Sequence, residues 1–171
     1  RGGLKPRGFD LGNSPLEFKE SVVKGKTLVF TTTSGTQALI RAKSANWVLI
    51  GGLLNAQIVG FKALEISRQN NVGISLVPSG RKGRFSLEDF ICAGAIISSL
   101  PLEDIELSDA ATASLLAFKQ TKEKLCETIM SGEHIWHLVK LGFENDVKFS
   151  CQLNLSEIVP TYRNGVIRLL E

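Results

Sequence analysis

No apolar run in this sequence approaches the roughly 20 residues a helix needs to cross a bilayer, and the opening arginine begins no signal-peptide pattern. The cytoplasm is therefore the default expectation. Cysteine is scarce: Cys92, Cys126 and Cys151 stand far apart, with no Cys-x-x-Cys and no histidine at ligand spacing nearby. This dispersed, odd-numbered set reads as reduced core thiols. Blocks of like charge are missing too. Lys and Arg total 20 against 17 Asp and Glu, and the net charge of +3 is mixed along the chain. That pattern argues against a duplex nucleic-acid binder while mildly favouring anionic ligands. There is no Gly-x-Ser-x-Gly elbow, no Walker lysine after Gly35 and no Gly-x-Gly-x-x-Gly opening a helix, so hydrolase triads, nucleotide kinases and dinucleotide enzymes lose weight. Internal repeats, low-complexity tracts and linkers are also lacking.

What is there is an average globular composition, 43% hydrophobic and 22% charged. Residues 1–171 suit one domain, able to bury roughly 70% of the surface of its unfolded form. The opening "RGGLKPRGFDLGNSP" has no apolar periodicity, and the expectation is a chain whose beginning lies upstream of Arg1. "SPLEF" follows, with Ser14, Pro15 and Glu17 in a capping-box pattern for a helical turn.

Thr27 to Thr31 reads as a buried strand, Thr36 to Lys43 as a helix, and Asn46 to Gly51 as a second strand covered on both faces. Asn55 to Gln69 has helical apolar spacing, Val72 to Pro78 reads as a third strand, and Ser86 caps an apolar helix running to Leu100. Three strand-to-helix units in a row predict a three-layer α/β/α domain with a mainly parallel central sheet. The second half reads as a long helix from Ser108 to Met130, a shorter one ending near Gly142, and a C-terminal β-hairpin turning at Asn164-Gly165.

In such a sheet ligands gather beyond the carboxyl ends of the strands, where helix N-termini point N–H groups outward. Three junctions qualify. Thr31 to Thr36 supplies hydroxyls and amides, more than one helix cap requires. Gly51 to Ala56 supplies the carboxamide of Asn55, which also suits a plain N-cap. Ser79 to Asp89 supplies Arg81, Lys82, Arg84, Ser86, Glu88 and Asp89, although Ser86 and Asp89 alone could form a capping box and the cations a solvated loop. Asp10 fits a divalent cation, attack on phosphorus, or a simple Asx-turn equally well. His134 and His137 share a helical face without the further ligands zinc would need, which favours a structural role.

Taken in order, "RGGLKPRGFDLGNSPLEF", "GKTLVFTTTSGTQAL", "VLIGGLLNA", "GRFSLEDFICAGAI" and "LSDAA" resemble the 2-phosphosulfolactate phosphatase family, and "LGFENDVKFSCQLNLSEIVPTYRNGVI" resembles its C-terminal segment. The resemblance covers essentially all 171 residues. It implies a magnesium-dependent phosphatase that converts 2-phospho-3-sulfolactate into 3-sulfolactate and phosphate, a step towards coenzyme M. It also implies an N-terminal segment bearing an Asp and an Arg near the site, for which nothing corresponds here. The expected partners are a small anionic phosphoester and either a second copy or that segment, with no nucleic acid and no membrane. Arg81-Lys82 departs from the family pattern, where an uncharged or acidic pair is more usual, and "SGEHIWHL" follows it loosely.

Phosphate monoester cleavage needs charge neutralisation on the phosphoryl oxygens and a stabilised leaving oxygen. Thr32, Thr33, Ser34, Gly35 and Thr36 are placed on the phosphate. Asp10, Glu88 and Asp89 are the candidate catalytic acids and the candidate Mg²⁺ ligands. Lys5, Arg84 and Arg1, with Asn55, are placed on the substrate's remaining anionic groups. The rival expectations are an anion-binding domain without catalysis, a scaffold fragment, and a phosphatase of another small acidic phosphomonoester.

Overall fold

The computed structural model describes residues 5–170, so Arg1 lies outside the described part. Among those residues the helices are α1 (Glu20–Val23), α2 (Gly35–Ala42), α3 (Ala56–Asn70), α4 (Leu87–Ser98), α5 (Asp109–Thr121), α6 (Leu125–Met130), α7 (Glu133–Lys140) and α8 (Glu144–Ser150). Short 3₁₀ turns occur at Pro15–Glu17, Leu53–Asn55, Leu102–Asp104 and Lys122–Lys124. The turn at Lys122 interrupts the helix expected from Ser108 to Met130, and α1 and α8 are additions to the sequence reading.

The expected parallel central sheet does not form. The only sheet among the described residues is an antiparallel hairpin of β1 (Pro160–Arg163) and β2 (Val166–Leu169), with Pro160 opposite Leu169 and Arg163 opposite Val166. Its turn is the one expected: Asn164 and Gly165 have φ of 51° and 81°, the positive values a type I′ turn requires. Val48 to Ile50 runs beside β1, with Tyr162 donating to the Val48 carbonyl at 2.9 Å and Ile50 donating to that of Pro160 at 2.8 Å. The bridge between Leu49 and Thr161 is antiparallel, and Val48, Leu49 and Ile50 are half-buried rather than covered on both faces.

The other two expected strands, Thr27 to Thr31 and Val72 to Pro78, have no regular secondary structure and no ladder partners among the described residues. Val29 is 84% exposed and Val77 62%, values incompatible with the core of a sheet. Their β-branched and aromatic residues favour an extended backbone, but a strand is stabilised by cross-strand pairs, and no neighbour supplies them here. Phe30 instead stacks on Phe18, with ring centroids 5.5 Å apart.

The core is built around α4, whose Ile91, Ala95 and Ile96 are buried with Leu53 and Ala56 on one side and Phe118 on the other. Leu125, Ile129, Ile135, Val147 and Cys151 bring α6, α7 and the end of α8 into the same cluster. Small residues let the helices approach. A Cβ on Gly60 of α3 would lie 3.0 Å from the Ile96 carbonyl oxygen, and one on Gly94 would lie 2.1 Å from that of Ser114 in α5. Across the same contact the buried Ser114 hydroxyl donates to the Phe90 carbonyl at 2.8 Å. No helix among the described residues is long and apolar enough to cross a membrane.

Candidate active site

The segment from Thr31 to Ser34 and the start of α4 open onto one cleft. Thr31, Thr32, Thr33, Ser34 and Gln37 line one part of it, and Ser79, Gly80, Arg81, Lys82, Glu88 and Asp89 another. Its volume is about 990 Å³, at the upper end for small-molecule sites. His134, Ile135, His137 and Leu138 of α7, with Asp146 of α8, complete it from the helical half of the chain.

Each element holds its residues by a local bond. Thr32 Oγ1 accepts from the Thr36 amide at 2.9 Å, and the Thr36 hydroxyl donates to the Thr32 carbonyl at 3.0 Å, which ties the loop to the first turn of α2. The first N–H groups of a helix have no intrahelical acceptor, so the amides of this corner other than that of Thr36, which Thr32 already holds, are suited to an anion. Ser86 was expected to cap α4 with its side chain, but no such bond forms. Asp89 Oδ2 instead accepts the Gly80 amide at 2.7 Å, fastening the basic loop to the helix start. The Glu88 side chain, 19% exposed, takes His134 Nδ1 at 2.7 Å. A carboxylate only accepts, so Nδ1 carries the proton. Gly132, before α7, sits close against the end of α6: a Cβ there would lie 3.1 Å from the Ile129 carbonyl oxygen.

The two neighbouring carboxyls are driven in opposite directions. Burial is the largest influence on Glu88 and raises it, but the bonds from His134, from its own backbone and from Ser86 together hold it below the usual carboxylate range. Asp89 is raised, by burial first and then by the charge of Glu88, which outweigh the bond from Gly80. Burial, followed by the charge of Asp89, pushes the Cys92 thiol up to about 12. Cys151, next to Cys126, is likewise pushed up to about 12 by burial. Neither is suited to nucleophilic chemistry.

Of the residues expected on the phosphate, Thr32, Thr33 and Ser34 line the cleft, whereas Gly35 and Thr36 stand behind them in α2. Glu88 and Asp89 meet there as expected. Asp10, Lys5 and Arg84 are exposed and outside the lining, with Lys5 Nζ donating to the Asp10 carbonyl at 3.3 Å. No cluster of three or more His, Cys, Asp or Glu side chains suited to a metal occurs among the described residues.

Asn55 is committed elsewhere. Its Oδ1 accepts the Gly52 amide at 2.8 Å, and its Nδ2 donates to the carbonyls of Ile50 and Ile158 at 3.2 and 2.8 Å. It is 9% exposed and clamps the Gly51-Gly52 corner to the chain before β1. Asn55→Ala strands those three backbone groups and is expected to cost about 2 kcal/mol in urea unfolding. His134, which lines the cleft, is not among the residues expected there from the sequence. Its spacing from His137 was visible, but the acid it serves lies 46 positions away.

The family model described as 2-phosphosulpholactate phosphatase matches residues 1–165. A probable 2-phosphosulfolactate phosphatase of Clostridium acetobutylicum is 40% identical over 169 residues, covering 98% of this chain and 70% of the relative. Proteins of the same description from Thermotoga petrophila and Carboxydothermus hydrogenoformans are 40% and 43% identical, covering 100% and 94% of this chain and 72% and 64% of the relatives. With a family match over nearly its whole length and a cleft that unites the hydroxyl-rich loop with two carboxylates, the chain belongs to the 2-phosphosulfolactate phosphatase family.

Proposed function

We propose that this chain is a Mg²⁺-dependent phosphatase that hydrolyses 2-phospho-3-sulfolactate to 3-sulfolactate and inorganic phosphate. The observation that supports it most directly is the shared cleft, which gathers amide and hydroxyl donors, two cations and two carboxylates from separate segments of a chain in this family. In the reaction a water oxygen bonds to phosphorus, the ester P–O bond breaks, and a proton ends on the departing alkoxide.

The N-terminus of α2 and the hydroxyls of Thr33 and Ser34 receive the phosphoryl oxygens, whose charge is drawn out as the bond breaks. Glu88 and Asp89 are hard oxygen donors at the edge of this site. Mg²⁺ is commonly held by one or two carboxylates together with a substrate phosphate rather than by an all-protein cage, and this donor set fits that form. The ion, when bound, supplies positive charge beside the phosphoryl group. His134 keeps the Glu88 carboxylate turned toward the cleft.

Phosphate release from 2-phosphosulfolactate and from phenyl phosphate, measured with Mg²⁺ and with EDTA, tests the reading. Release that needs Mg²⁺ is expected, greater for the first substrate. No release from either, at any Mg²⁺ concentration, would leave a site that holds anions without cleaving them.

A further inference from the structure

Arg84 is one of the cations expected on the substrate's remaining anionic groups, with Lys5 and Arg1, yet Arg84 stands outside the cleft while Arg81 and Lys82 line it. These two residues lie at a tight reversal. Arg81 donates to the Arg84 carbonyl at 3.1 Å and Arg84 donates back to that of Arg81 at 3.0 Å, closing a two-residue turn over Lys82 and Gly83. Their φ values are 51° and 78°, the left-handed pair that normally calls for Asn-Gly or Gly-Gly. Lysine at the first of them costs roughly 1 kcal/mol of backbone energy, and such a cost is more often found where a side chain is needed.

The turn is also anchored. The Gly80 amide is held by Asp89 at 2.7 Å, and Gly80, at φ 65°, passes so close to the Arg84 carbonyl that a Cβ would approach it to 2.6 Å. Arg81 is half-buried, and its ion-pair partner is distant: Nη1 lies 4.0 Å from Oε1 of Glu133, a side chain 90% exposed. An exposed pair at that separation neutralises little charge. A pre-set cationic turn thus stands in the same cleft as the amide-rich corner at Thr32 to Ser34, and a guanidinium fork beside an ammonium matches a planar carboxylate or a sulfonate.

We propose that Arg81 and Lys82 bind the anionic group of the substrate that is not transferred, and so select phosphoesters carrying a second negative charge. This rests on the phosphatase reading. Arg81→Ala and Lys82→Asn, the latter keeping a residue that tolerates the left-handed turn, are compared with wild type on 2-phosphosulfolactate and phenyl phosphate. The ratio of kcat/KM between the two substrates is expected to fall about 10- to 100-fold in each variant, the loss of one charge-assisted bond, with the change residing in KM for 2-phosphosulfolactate. A ratio unchanged within twofold in both variants overturns the proposal. Calorimetric binding of 3-sulfolactate separates the two readings. If wild type cleaves neither ester but binds 3-sulfolactate, and both variants lose that binding, the phosphatase reading fails and the anion subsite stands. Equal binding by all three proteins removes the subsite.

Discussion

Gly94→Val is expected to lower the thermal midpoint by roughly 8–16 °C, since a loss upwards of about 4 kcal/mol is spread over a chain whose midpoint moves roughly 2–4 °C per kcal/mol. The reason is the close approach of α4 to α5 at this glycine. A Cβ at position 94 would lie 2.1 Å from the Ser114 carbonyl oxygen and 2.8 Å from Phe118 Cβ, and the first of these is backbone, unable to rotate away. The helices α4 and α5 would have to separate, opening the core around Phe118 and weakening the Ser114 bond to Phe90. Total stability is only about 5–15 kcal/mol, so this one substitution is expected to remove from about a quarter to most of it. In an open helix interior, removing glycine stabilises by up to about 1 kcal/mol, so the sign of the effect tests the contact itself. Gly73→Ala is the control: nothing lies within 4 Å of a Cβ there and its backbone is not left-handed, so a change within about 0.5 kcal/mol is expected. A Gly94→Val protein melting with wild type would mean that α4 and α5 do not meet at this point.

That contact was only half legible beforehand. The apolar helix expected from its cap at Ser86 to Leu100 is there, and α3, α4 and the Asn164-Gly165 hairpin formed within a residue or two of where periodicity and turn chemistry put them. These are local properties, fixed by spacing and backbone preference. Which helix meets Gly94 is not local. The same distinction explains the failed sheet. Thr27 to Thr31 and Val72 to Pro78 have the composition of strands, but pairing depends on a neighbour that no single segment encodes, and Val48 to Ile50 found its neighbour in the antiparallel β1.

The site divides along the same line. That Thr32 to Ser34 and Glu88-Asp89 line one cleft was foreseeable because hydroxyls at a helix entry and acids in a first turn carry their chemistry in sequence order. Asn55 misled because a carboxamide at a glycine corner serves a backbone clamp as readily as a ligand, and only the carbonyl of Ile158, 103 positions on, decides between them. Arg84 stands three residues from a cation that lines the cleft: the turn over Lys82 and Gly83 sends Arg81 and Arg84 along opposite arms, and one arm faces the cleft.

Replacing either acid at the start of α4 is expected to reduce kcat by about 10²–10³, the usual scale for removing one preorganised electrostatic contact to a developing charge, yet the two replacements should move stability in opposite directions. Glu88 is held below its ordinary value. Its ionised form therefore contributes stability above the unfolded pKa of 4.5, and that contribution is lost as the pH falls through the lower folded value. Glu88→Gln keeps an acceptor for His134 but removes the charge, so it should melt below wild type at pH 7 and close that gap at pH values under 4.5. Asp89 is raised above its unfolded 3.8, chiefly by burial and next by Glu88. Its contribution is complete below 3.8 and disappears as the pH climbs through the folded value, leaving a buried charge that weakens the fold at neutral pH. Asp89→Asn can still accept the Gly80 amide, and it should melt at or above wild type at pH 7 while losing activity to the same degree. A side chain whose charge costs stability but is needed for turnover is what a site selected for chemistry rather than packing produces. Melting curves at pH 4 and pH 7 with phosphate-release rates on the same preparations decide the matter. An Asp89→Asn protein that is both less stable at pH 7 and fully active would assign that carboxylate to fastening the Gly80 loop alone.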